Sequence, residues 1–218
     1  MIDMTFGLIS FLIALAAFVY GASGLFRKKK PLYFRILACA AGCLALQRLS
    51  HVVNLWCGVF ATGGIGMLGI FGCNFFLLSA NYGALDKIVD DGRDSKKARS
   101  VAFVAPVIMA ALTVIAFLAW KDRDTFCAVM WLVILLPSLP ASYFSLKHVL
   151  LPMDPFGFLK TTRPCDTAAL VFYAVTAAYG ICSLTAGSAV SGVLSVLMSM
   201  SVLCLTLYAV KGASKWEI

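Results

Sequence analysis

The chain has 218 residues, of which 61% are hydrophobic and 13% charged, and it carries a formal net charge of +8. So apolar a composition exceeds what one soluble core of this length requires, and it excludes an ordinary soluble domain. The basic residues sit in short segments between apolar blocks, the distribution that membrane orientation produces, so the lipid bilayer is the expected partner and nucleic acid is not.

The apolar blocks are about twenty residues long, the length a helix needs to cross a hydrocarbon core. Thr5 to Leu25 is the first predicted span, followed rather than preceded by Arg27-Lys28-Lys29-Lys30. That order is the reverse of a secretory signal peptide and places the N-terminus outside. Pro31 suits the first turn of a second helix over 32–56. A third span is predicted over 64–86, with Gly66, Gly69 and Gly72 at three-residue spacing for close helix contact. The polar run from Asp86 to Arg99 is a solvated loop. Two further spans follow over 100–120 and 125–147, the latter broken by Leu136-Pro137-Ser138-Leu139-Pro140, where a kink or partial unwinding is expected. A long loop from His148 to Cys165 carries Pro152, Pro155 and Pro164, and its Phe156-Gly157-Phe158-Leu159 suits the membrane interface. The last spans are predicted over 166–185 and 189–210.

This predicts an all-α polytopic membrane protein with seven transmembrane helices, N-terminus outside and C-terminus inside, forming one domain over 1–218. With that topology fifteen Lys and Arg residues fall inside, two (Lys121 and Arg123) fall outside, and Arg48 lies within a span. The split follows the positive-inside rule. No internal repeat links the first three helices to the last three.

Gln47-Arg48-Leu49-Ser50-His51-Val52-Val53-Asn54 is the segment where chemistry concentrates. An ionisable residue inside a membrane is costly and by default marks a function. Gln47, His51 and Asn54 recur at helical spacing on one face, with Arg48 beside it. One reading is an outward-facing pocket in which Gln47, Arg48, His51 and Asn54, completed by Asn74 of the third helix, bind a small anionic or polar ligand. The competing reading has Arg48 snorkelling to outer headgroups while the amides bind neighbouring helices. Pro137, Ser138 and Pro140 form a second candidate element, a gate or unwound segment. The sixth helix aligns Tyr173, Thr176, Gly180 and Ser183 with Tyr179 nearby. The seventh aligns Ser188, Ser191, Ser195 and Ser199, a ladder read as packing.

All ten acidic residues are expected in loops, at the tail or at helix ends, which argues against proton or sodium coupling. The eight cysteines lie mostly in apolar blocks without a C-x-x-C pair, and His51 and His148 fall on opposite sides, so no metal site is expected. The seventh helix holds no mid-span lysine for a retinal Schiff base, and no cofactor is expected. Gly21-Ala22-Ser23-Gly24 and Gly63-Gly64-Ile65-Gly66 lack the surroundings that catalysis or phosphate binding demands, so no enzyme is expected. Three functions remain open. The first is a small ligand-binding or sensory module of the cytoplasmic membrane, working with a partner protein through its basic inner loops. The second is a small-solute uniporter or exporter, and the third a structural subunit of a membrane complex.

Overall fold

The computed structural model describes residues 2–26, 31–57, 66–86, 96–151, 158–185 and 188–215. Among these the protein is all helical and contains no strand. The basic run Arg27–Lys30, most of the polar segment after Asp86, the Ala186-Gly187 turn and Phe156-Gly157 lie outside the described residues.

Seven helices follow in chain order among the described residues. They are α1 (Ile2–Leu25), α2 (Leu32–Cys57), α3 (Gly66–Leu78, continued by a π-helical Ser79–Asp86), α4 (Lys96–Lys121), α5 (Thr125–Leu150), α6 (Phe158–Thr185) and α7 (Ser188–Ala213). Six of them, all but α3, are individually long and apolar enough to cross a membrane. The regular part of α3 has 13 residues, about 20 Å of rise, and needs its π-helical continuation to approach the thickness of a hydrocarbon core.

The helices are apolar outside, and α1 is mostly small inside, an arrangement expected where lipid replaces water as solvent. On α1 the buried positions are Gly7, Ser10, Ala14, Ala17, Gly21 and, at its end, Leu25, while Leu8, Leu12, Leu15 and Val19 are exposed. That small seam lets α1 settle between α2 and α7. A methyl at Gly192 of α7 would lie 2.4 Å from the Phe6 ring, and one at Gly21 would lie 2.8 Å from Thr206. On the far side of α2, a Cβ at Gly69 of α3 would lie 2.5 Å from the Gln47 Cβ and 2.6 Å from the Cys43 carbonyl oxygen. Beyond this, α7 packs on α6, α4 packs on α5 and α6, and α3 touches α5.

Helix boundaries differ from those predicted most clearly at two places. First, α4 begins at Lys96, before the expected Ser100, with a turn at Phe103 where Pro106 cannot bond back. Second, α5 runs on to Leu150 and α6 begins at Phe158, so His148 and Pro164 are helical and not part of a long loop, and Asp166 lies inside α6 instead of at its start. Pro164, the seventh residue of α6, forfeits an amide bond within the helix, and Arg163 ties the junction by donating to the Leu151 carbonyl. The start of α5 is fixed by Asp124, whose carboxylate accepts the Cys127 amide at 3.1 Å. Hydrogen bonding from Cys127 holds that carboxyl below its usual range.

The seam between α2 and α3 makes a direct prediction. Gly69→Ala should lower stability by about 1–3 kcal/mol through overpacking against backbone. Gly83→Ala, where an added Cβ meets nothing within 4 Å, should leave it unchanged. Thermal unfolding in detergent measures both.

Candidate functional site

Arg48 is wholly enclosed, with 0% of its surface exposed. Its Nη2 donates to the Ser195 carbonyl at 3.2 Å and to the Met198 sulfur at 3.3 Å, both on α7. Its guanidinium carbon stands 5.7 Å from the centre of the Tyr179 ring of α6, within range of a cation–π attraction. Nε and Nη1 have no hydrogen-bond partner. The snorkelling alternative is therefore overturned: the side chain turns inward to α6 and α7. A charge taken out of water without full compensation is destabilising by itself.

Beyond Arg48, toward the end of α2, lies a small pocket of about 100 Å³, lined by Asp3, Phe6, Gly7, His51, Leu55, Tyr179, Ser191, Gly192 and Ser195. The wall is drawn from the start of α1, the end of α2, the end of α6 and the start of α7, so it opens at one end of the bundle. Tyr179 and Ser195, which hold Arg48, separate the guanidinium from the cavity. The Ser195 hydroxyl is buried without a partner. Such a volume suits about three waters or one small anion.

The five residues singled out for this site divide among several places. His51 lines the pocket and Arg48 lies behind its wall. Gln47 is buried against α3 beside Gly69, and half-buried Asn54 lies outside the wall. Asn74 does not complete the cluster, because its Nδ2 donates to the Ile134 carbonyl of α5 at 3.0 Å. In exchange the structure adds Tyr179, Ser191 and Ser195. The serines were read as packing, and Ser195 combines both roles, since its carbonyl also accepts the Ser199 hydroxyl at 3.3 Å.

Asn74 belongs to the proline break. Neither Pro137 nor Pro140 supplies an amide, and the Leu139 amide turns back to Leu136 at 3.3 Å. Carbonyls at Ile134 and Leu135 are met by side chains instead, Asn74 for the first and the Ser138 hydroxyl, at 2.5 Å, for the second. Helix resumes at Ser138. Pro137, Ser138 and Pro140 thus form a closed, capped kink rather than an unwound segment.

A second polar group lies toward the opposite end of the bundle. His148 Nδ1 is 3.7 Å from an Asp166 carboxylate oxygen, with both side chains fully buried. The π-helical turn of α3 directs Asn81 to the Ser145 hydroxyl at 2.7 Å, and Tyr173 is also buried. The expectation that every acidic residue lies in a loop or at a helix end fails at Asp166. It sits two turns into α6 because the helix starts before Pro164.

Set against known proteins, the chain matches no protein family, no curated protein and no solved structure.

Asn74→Leu should strand the Ile134 carbonyl in an apolar interior and lower stability by about 1–3 kcal/mol. Hydrogen exchange should quicken at residues 134–139 and hardly elsewhere. Unchanged exchange across the kink would refute the capping role.

Proposed function

We propose that this protein is a small integral-membrane binding module that takes up a small anion in the pocket beside Arg48. The observation that carries the reading is a permanently charged guanidinium, buried with two unpartnered nitrogens behind a pocket that opens to one end of the bundle. Among the described residues no carboxylate pairs with Arg48, so the enclosed charge attracts an anion into a low-dielectric recess. The approach is past His51, Tyr179 and Ser191, which line the wall. Asp3 at the rim disfavours highly charged species, and the volume favours compact ones such as formate or nitrate. On this reading α3 and its π-helical turn complete a seven-span protein of the cytoplasmic membrane, N-terminus outside. The basic loops then face inward, toward a partner protein. A second reading, passage of the anion through the bundle, would use the same pocket as its entrance.

Two experiments test these readings. Titration calorimetry on protein in lipid nanodiscs should detect nitrate or formate binding that weakens at least about tenfold in Arg48→Met. Stability of that variant should hold or rise, since an uncompensated buried charge is replaced by an apolar chain of similar length. An arginine kept only for packing would give the reverse: no binding in either protein, and a lower melting temperature in the variant. Flux of the bound anion in proteoliposomes separates carrier from receptor. For orientation, Cys57 is exposed at the pocket end of α2. A membrane-impermeant maleimide should label it from outside on intact cells, whereas labelling only from the inner face would reverse the topology.

A further inference from the structure

The His148–Asp166 pair is enclosed by four helices. Tyr33 of α2, Asn81 of α3, Ser145 of α5, and Cys165 and Tyr173 of α6 are buried or half-buried around it and within electrostatic reach. Lys147, also of α5, is buried with its ammonium 5.8 Å from the Phe144 ring centre. The segment of α4 packed on α5 carries Lys96 and Lys97, both exposed, and half-buried Arg99. On α7 the basic residue toward this end is Lys211, which is exposed. Both Asp166 oxygens and the Tyr173 hydroxyl lack a hydrogen-bond partner.

With one proton between them, His148 and Asp166 are neutral as a pair, whether written as imidazolium and carboxylate or as imidazole and carboxylic acid. Losing that proton to the inner aqueous side leaves a bare buried carboxylate and a neutral imidazole. Burial opposes that state, and the positive charges around it favour it, Lys147 and Arg163 from nearby and the enclosed Arg48 from farther off. Tyr179, which stacks on Arg48, is thirteen residues beyond Asp166 on α6, roughly 20 Å of helix rise. Unit charges that far apart in a protein interior of effective dielectric about 20 shift a binding constant by about fourfold.

We propose that His148 and Asp166 form a proton-binding site linked to the charge at the Arg48 pocket, so that an anion in the pocket and a proton on the pair each hold the other more tightly. This rests on the anion pocket for its physiological partner, but the proton site is testable without it. The sign follows from charge. Neutralising Arg48 removes its share of the field that favours deprotonation, so the proton is held about fourfold more tightly. By reciprocity the anion binds about fourfold better at acid pH, below the midpoint of the pair, than above it.

The chain has two histidines, so nitrogen NMR of histidine-labelled protein in nanodiscs shows two rings, and the signal lost in His51→Gln assigns the other, in protein with its pocket intact, to His148. Between about pH 4 and about pH 9 it should show one titration belonging to the pair. Adding Arg48→Met should raise the midpoint by about 0.6, saturating nitrate should raise it in the Arg48 protein, and Asp166→Asn should lower it. A silent ring, or a midpoint that neither Arg48→Met nor nitrate moves in folded protein, overturns the proposal. A midpoint moved by Arg48→Met and not by nitrate upholds the proton site and removes the anion reading of the pocket.

Discussion

One desolvated guanidinium organises this bundle. Arg48 donates from α2 to a carbonyl and a sulfur on α7 and lies beside an aromatic face on α6. Three helices are thereby held to one point, and the charge pays for its burial only in part. Neutral acceptors and a ring quadrupole soften a desolvation cost that a carboxylate would offset far better. A structure that keeps such a residue, with small residues cleared around it, is arranged for charge. The tight contacts at Gly69 and Gly192 let α3 and α7 approach closely enough to enclose the side chain.

The two ends of the bundle differ in how they manage polarity. At the pocket end a fixed positive charge sits behind a small open recess. At the other end a neutralisable pair is sealed among tyrosines, an asparagine and a serine. Helices α2, α3 and α6 each contribute to both groups, since Cys73 of α3 lies near Arg48 while Asn81 reaches Ser145. A rigid displacement of any one of them would alter both environments together. Between the two, the proline kink of α5 is stitched to α3 by Asn74, so the place where the backbone is weakest is also where a neighbouring helix braces it.

Much of this was legible from residue order. Block lengths, the Pro31 helix start and the apolar faces of α1 and α7 follow directly from the thickness and solvency of a membrane, and Arg48 stands out because a charge there is expensive. What could not be read was depth and direction. Gln47, Arg48 and His51 share a stretch of helix, yet side chains a third of a turn apart face different neighbours, and Asn74 is drawn away by a carbonyl freed 60 residues later. The Asp166 site was hidden by Pro164, which reads as a helix breaker but lies inside α6. Tyr179 and Ser195 were hidden differently: a tyrosine and a small-residue ladder have the composition of ordinary packing, and only the approach of Arg48 distinguishes them.

The acceptors for Arg48 lie 147 and 150 positions downstream. A chain emerging from the ribosome must therefore place α2 in the bilayer long before α7 exists. In that interval the guanidinium has only lipid headgroups or water at the surface to answer it. Its final seat between α6 and α7 is available only after the last helix enters, and α1, wedged between α2 and α7, must wait for the same event. The burial of this one side chain is therefore complete only when the last helix is in place.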